Sequence, residues 1–258
     1  MAVERQISGS NPIHNFAIAR PPSNSTTCFP STDISVSAFN GGDCDAMNIR
    51  DALSEMLCSV HHFNHVQVCR DDQFNQDALI RGVILGWEDL QSRDFTCPLW
   101  GILKHIDALL MTHTAIATRL ALLRGVHLML LTRSCPDRPP ALPPWFRPRA
   151  RRNSPNQCSN PNDAISNYFA WPRFRQRLLA SNSPRLTNRF WLYFVRNVQF
   201  EWPFSPTHTI DIDKDSGKYH FSMNWRNTMD IIQRFTMGPE FFDAYPECSG
   251  DMNPRCDL

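Results

Sequence analysis

The stretch between residues 168 and 246 limits the possible folds of this chain more than any other. Tryptophan, phenylalanine and tyrosine recur there beside proline and arginine. Each buried aromatic side chain removes a large apolar area from water, so this density is typical of the interior of a packed domain. The stretch contains no recognisable arrangement of catalytic side chains. We therefore interpret its aromatic residues mainly as core.

Apolar residues recur at helical spacing along much of the remaining chain, which predicts a series of amphipathic helices. Ser183 and Pro184 form a typical helix start, with serine as the N-cap and proline at the first helical position. The predicted helices cover residues 46–60, 75–90, 99–110, 113–132, 171–180, 185–199, 223–237 and 239–244.

Three other segments depart from the helical pattern. Residues 209–213 and 218–221 are predicted to pair as a small hairpin around the turn that contains Gly217. Residues 134–166 contain eight prolines, which exclude a helix or a central strand and predict a long surface loop. Residues 1–42 are rich in small polar residues, proline and glycine, and we expect a disordered N-terminal arm.

Together these patterns predict a mainly α protein with a single helical-bundle-like domain over residues 43–258 and at most a small β-hairpin. The composition, 42% apolar and 20% charged, is ordinary for a globular protein, and a net charge of +1 gives no strong field toward nucleic acid or membrane. Nine cysteines without a Cys-x-x-Cys pair favour free thiols in a reducing compartment. The apolar run of residues 120–131 is interrupted by Arg124 and is too short to span a bilayer, so we expect a soluble intracellular protein.

Two groups of residues have partial metal-site patterns. The first consists of two cysteines and three histidines that are close in sequence, and we favour a polar helix end over a zinc site because the spacing differs from known sites. The second has alternating aspartates before Gly217, but its glycine is one place late and Ser222 occupies the position of the closing glutamate in a calcium loop. We therefore predict no metal and no cofactor. The residues concerned are Cys58, His61, His62, His65, Cys69, Asp211, Asp213 and Asp215.

Two groups of arginines are candidate contact sites. Those in the proline-rich loop suit a nuclear-import signal or a phosphate contact, and a solvated linker is an equally open interpretation. Those beyond the loop suit either a nucleic-acid face or structural pairing with acids and aromatic rings, and the balanced net charge favours the structural interpretation. The first group is Arg147, Arg149, Arg151 and Arg152, and the second is Arg173, Arg175, Arg177, Arg185, Arg189 and Arg196.

No enzyme motif is present in the sequence. It has no nucleophile-elbow, phosphate-loop, dinucleotide or zinc-protease pattern. Cys97 and His105 are the residue types of a nucleophile and a base, but no pattern connects them. We predict that the protein is not an enzyme.

The order of several motifs resembles a fungal domain of uncharacterised function that usually lies C-terminal to the basic leucine zipper of fungal bZIP-type transcription factors. The resemblance covers roughly residues 46–250 and has two blocks. The first runs through Trp87, Trp100, Asp107 and Arg119 to Arg124. The second contains Trp171, Pro172, Arg175, Arg177, Asn188, Phe190, Trp202, Pro203, Tyr219, Phe221, Phe241 and Phe242.

This resemblance implies a nuclear, transcription-associated regulator whose motif residues are mostly structural. A pathway-specific role in fungal secondary metabolism is part of what it implies. The 258 residues contain no basic region followed by leucine heptads, so direct DNA binding by the zipper mechanism is doubtful. We therefore expect contact with another transcription factor or protein partner, in the nucleus or, alternatively, in the cytoplasm. The alternative functions are a small-molecule-binding sensor and, less favoured, a metabolite-pathway enzyme with unrecognised chemistry.

Overall fold

A computed structural model describes residues 48–60, 63, 67–91, 96–146, 165–180 and 185–255. All of them lie within one compact unit of the chain, residues 36–258. The predicted N-terminal arm and most of the predicted proline-rich loop lie outside the described residues.

Five α-helices of the described residues precede the proline-rich loop. They are α1 (Ile49–Ser59), α2 (Asp72–Ile84), α3 (Trp87–Gln91), α4 (Leu99–Ile106) and α5 (Ile116–Ser134), and α4 continues into a π-helical turn at Asp107–Met111.

Short polar residues set the starts of α1 and α2. The Asn48 side chain accepts a hydrogen bond from the backbone N–H of Arg50, and the Asp71 carboxylate accepts one from Phe74. These are N-caps, which satisfy donors that have no partner within the helix. Gly86 ends the α2–α3 connection with a φ of 105°, which the absence of a Cβ permits.

Short helices and strands alternate beyond the loop. The helices are α6 (Pro172–Leu178), α7 (Asn188–Asn197), α8 (Met223–Met229) and α9 (Pro239–Ala244). The strands are β1 (Val198–Phe200), β2 (Ile210–Ile212), β3 (Tyr219–Phe221), β4 (Phe235–Met237) and β5 (Asn253–Pro254). Strand β4 pairs with β1 antiparallel and with β5 parallel, while β2 and β3 form the predicted hairpin.

Two predicted helices are longer than the observed ones. Helix α7 begins at Asn188, where the Thr187 hydroxyl accepts from the Phe190 backbone N–H, three residues after the predicted start at residue 185. The predicted N-cap at Ser183 and Pro184 lies outside the described residues. The helix predicted over residues 223–237 ends at Met229, because the backbone of Phe235 to Met237 pairs with β1. The second error comes from tertiary strand pairing, which overrides an apolar pattern of helical spacing.

A single hydrophobic cluster, extending from Ile49 to Met252, includes residues from both sides of the loop. Two hydrogen bonds also cross between the sides: Ile49 N–H donates to Asn188 Oδ1, and Phe200 N–H donates to Thr118 Oγ1. The predicted mainly α fold is confirmed, and the only sheets among the described residues have two and three strands. None of the described helices is both long and apolar enough to cross a membrane.

Candidate functional site

Asp107 is the centre of a buried polar cluster formed by three motif residues that are distant in sequence. Its side chain is 1% exposed, and both oxygens accept hydrogen bonds from the Arg119 guanidinium. Trp87 Nε1 donates to Asp107 Oδ2 at 2.6 Å. The cluster joins α3, α5 and the π-helical turn, so these three residues have a clear structural role.

Gly82 makes room for this cluster. A Cβ on Gly82 would lie 2.6 Å from Cε3 of Trp87, closer than carbon atoms can approach. The Trp87 ring therefore rests directly on the α2 backbone, and its indole nitrogen is held where Asp107 accepts from it.

A second polar cluster attaches helix α2 to the hairpin. The backbone N–H groups of Tyr219 and Phe221 in β3 donate to side-chain oxygens of Asp77 and Gln76, at 2.8 and 2.9 Å. Arg81 forms an ion pair with Asp77, lies 4.6 Å from the Tyr219 ring centroid and donates to the Gly217 carbonyl. Side chains of a helix thus satisfy the strand edge that a neighbouring strand would otherwise pair with.

The aspartates near Gly217 are used in the hairpin turn. Asp213 Oδ1 accepts from the backbone N–H groups of Asp215 and Ser216, and these bonds lower the pKa of the Asp213 carboxyl. Gly217 has a φ of 66°. An aspartate that bonds to backbone N–H groups two and three residues later is an ordinary turn device, so Asp213 has a structural role in the hairpin turn.

His127, in helix α5, is fully buried. Its ring stacks on Trp100 with centroids 4.8 Å apart, and its Nδ1 lies 3.4 Å from Nη1 of Arg124. Burial, and secondarily the Arg124 charge, hold the pKa of His127 well below its usual value. The neutral ring is therefore the stable form in the fold. Arg124 also pairs with Asp72 at 2.5 Å.

The candidate residues of the second block are distributed through the C-terminal part of the core. Trp171 Nε1 donates to the Phe235 carbonyl, Arg175 to the Trp145 carbonyl, Trp202 Nε1 to the Ser205 carbonyl and Arg177 to the Asp251 carboxylate. Pro172 occupies the first turn of α6, Pro203 is exposed, and Phe241 is fully buried with Phe242 beside it. Apart from Pro203, these residues make contacts that hold the fold together.

The remaining arginines are mostly at the surface. Arg185, Arg189 and Arg196 are exposed, and the Arg189 guanidinium lies over the Tyr193 ring. Arg173 donates to the Gly250 carbonyl at 3.4 Å. The loop arginines Arg147, Arg149, Arg151 and Arg152 lie outside the described residues, so their predicted role stays a prediction.

The metal and enzyme hypotheses gain no support from the described residues. His61, His62 and His65 lie outside them, and no group of three described His, Cys, Asp or Glu side chains is placed to hold a metal ion. Burial raises the pKa of the Cys97 thiol, whereas a nucleophilic cysteine requires a lowered pKa. His105 is exposed, with its Nδ1 2.7 Å from the Gly101 carbonyl of the same helix.

An apolar cleft lies between the helices on the two sides of the loop. It has a volume of about 60 Å³ and is partly open. Helix α1, the π-helical turn and α5 form one wall, and residues 165–171 with α7 form the other. Its lining includes Leu53, Leu110, Val126, Phe169, Trp171 and Trp191. We refer to it below as the seam cleft.

Comparison with known proteins finds a match in one family. Residues 134–256 match the family model described as a domain of unknown function, DUF3425. That segment contains the whole second block of the resemblance, from Trp171 to Phe242, and lies beyond the first block. The chain matches no curated protein and no solved structure.

Proposed function

We propose that this protein is a transcription-associated regulator that acts by contact with another transcription factor or protein partner. The observation that carries the proposal is the order of Trp-Pro, Asn, Trp-Pro and Phe-Phe motifs in the segment that matches the family model. It is this order that resembles the domain associated with fungal leucine-zipper factors. A pathway-specific role in fungal secondary metabolism and a nuclear location are parts of the same proposal.

The buried charged groups form structural ion pairs, which favours a binding role over catalysis. Asp107 is paired with Arg119, and Asp77 is paired with Arg81. The carboxylates of both pairs also accept hydrogen bonds from an indole or a backbone N–H group, so they are committed to holding elements together. A general acid or base needs instead a titratable group that is accessible to a substrate.

Deletion of the gene, followed by transcript and metabolite profiling, tests the regulatory role. We expect the transcripts of a defined gene set to fall together. Accumulation of one intermediate with unchanged transcripts would instead indicate an enzyme and overturn the proposal.

The location is tested with a fluorescently tagged full-length chain. We expect nuclear signal that is lost when Arg147, Arg149, Arg151 and Arg152 are all replaced by glutamine. The matched control replaces the exposed residues Arg185 and Arg196 by glutamine, which removes positive charge elsewhere and leaves the signal nuclear. Cytosolic signal from the unchanged chain contradicts the proposed location.

A further inference from the structure

The seam cleft is suited to an apolar occupant. Its lining is almost entirely hydrocarbon, and a buried water needs two to four polar partners to be stable. A volume of about 60 Å³ exceeds the roughly 10–15 Å³ that a cavity needs to hold one water. An apolar group entering the cleft would displace poorly bonded water and bury both its own surface and that of the lining.

The lining residue Trp191 has a buried polar atom without a partner among the described residues. Trp191 is 4% exposed, and its indole Nε1 has no hydrogen-bond partner among the described residues. The other lining tryptophan, Trp171, differs because its Nε1 donates to the Phe235 carbonyl at 3.0 Å. An indole N–H is a donor only, so the atom that completes Trp191 has to be an acceptor.

The charge of the occupant is restricted by the same lining. Apart from Tyr168, the side chains that line the cleft are apolar or tryptophan, and none carries a charge. A carboxylate or an ammonium group entering the cleft would lose its hydration without gaining a counter-ion, which is strongly unfavourable. An uncharged carbonyl or ether oxygen avoids this cost and still accepts from an N–H group.

We propose that the seam cleft binds a small uncharged molecule, mostly hydrocarbon, whose carbonyl or ether oxygen accepts a hydrogen bond from Trp191 Nε1. The walls come from both sides of the proline-rich loop, since Leu53 and Val126 face the cleft with Phe169 and Trp191. A bound molecule therefore stabilises the packing between the two sides. This site does not depend on the proposed nuclear role, and either proposal can fail alone.

Two isosteric probes test the site in the full chain. Cyclohexanone carries the oxygen acceptor, and methylenecyclohexane has a CH₂ group in its place. In two-dimensional NMR spectra of the indole N–H groups, we expect cyclohexanone to shift the Trp191 signal downfield and to bind about three- to tenfold more tightly than methylenecyclohexane, the range for one hydrogen bond. Absence of saturable binding of both probes overturns the site.

Paired tryptophan variants locate the hydrogen bond. Trp191→Phe retains an aromatic ring but removes the donor, so we expect the preference for cyclohexanone to disappear while methylenecyclohexane still binds. Trp225→Phe is the matched control, because Trp225 is also buried with an unpartnered Nε1 but does not line the cleft. Equal preference for cyclohexanone in wild type and Trp191→Phe shows that Nε1 is not the donor and overturns the proposal. If Trp191→Phe does not fold, the wild-type Trp191 signal decides, since an oxygen-dependent shift is expected there only.

Discussion

The two sides of the proline-rich loop are stabilised by different kinds of contact. The described residues between 48 and 146 form helices with aliphatic cores, held in register by buried charged pairs such as Asp107 with Arg119. Residues 165–255 form short elements around a mesh of aromatic rings, in which Phe190 alone contacts six others. On the first side, directional polar bonds fix where helices meet. On the second, the shapes of the rings do so.

The largest effect is expected from breaking the aromatic mesh. Phe190 is fully buried, and Phe190→Ala removes its ring from a region whose neighbouring rings cannot all collapse into the space. We expect a loss of about 4 kcal/mol in the free energy of unfolding, measured by urea denaturation. Leu120→Ala, fully buried in α5, is the counterpart in the first region and should cost about 3 kcal/mol. A smaller loss for Phe190→Ala than for Leu120→Ala would contradict the comparison.

The next largest effect comes from the charged cluster of the first region. Arg119→Met leaves the Asp107 carboxylate, 1% exposed, without its counter-ion, and we expect a loss of about 3 kcal/mol. Lys104→Met is the control, because it removes a surface pair with Glu88 and should change stability by less than about 1 kcal/mol. Similar losses for the two variants would show that the buried pair contributes no more than an exposed one.

The sequence predicted the helices better than the contacts between them. Periodicity identified α4 and α9 within about a turn, because their apolar faces are continuous, and the acids before Gly217 were correctly assigned to a hairpin. It failed at residues 235–237, whose strand conformation depends on pairing with Val198 to Phe200 from elsewhere in the chain.

The same difference holds for the candidate sites: their residues could be identified from the sequence, but the contacts between them could not. Trp87, Asp107 and Arg119 were recognised as motif residues, but nothing in their spacing indicated that they meet. The position and the lining residues of the seam cleft could not be predicted, because a void depends on how helices from two sides of the chain pack, which periodicity does not encode. For the cluster around Trp87, the available signal was Gly82. Glycine is unfavourable in a helix, so its presence indicates that something packs closely against it.

A smaller effect is expected at the contact between the two regions. Gln76→Ala removes the acceptor for the Phe221 backbone N–H in β3, leaving a buried donor unpaired, and should cost about 2 kcal/mol. Hydrogen exchange of the Phe221 amide should accelerate with it. Gln73→Ala changes an exposed residue of the same helix and should leave that amide protected. Unchanged exchange in Gln76→Ala would mean that the hairpin does not depend on α2.

Gly82 provides a test within the first region alone. In Gly82→Ala the new Cβ would overlap the Trp87 ring, and we expect a net loss of about 1 kcal/mol after the gain in helix propensity. Gly101 is also helical but exposed, with nothing within 4 Å of an added Cβ, so Gly101→Ala should stabilise by about 0.5–1 kcal/mol. In thermal unfolding, the melting temperature should fall for Gly82→Ala and rise for Gly101→Ala. Stabilisation by Gly82→Ala would show that the ring moves freely.

The smallest expected effect is a pH dependence that belongs to the first region. Burial holds His127 neutral with a pKa well below 6.5, whereas in the unfolded chain it titrates near that value. As the pH falls through 6.5, His127 is protonated in the unfolded state but not in the folded state. The free energy of unfolding therefore decreases as the pH falls. For one such group the loss between pH 7 and pH 6 is about 0.7 kcal/mol. His127→Phe keeps a ring against Trp100 but cannot bind a proton, and it should remove this slope in urea denaturation at the two pH values. An unchanged slope would mean that the acid sensitivity arises elsewhere, and that His127 is accessible to protons in the folded chain.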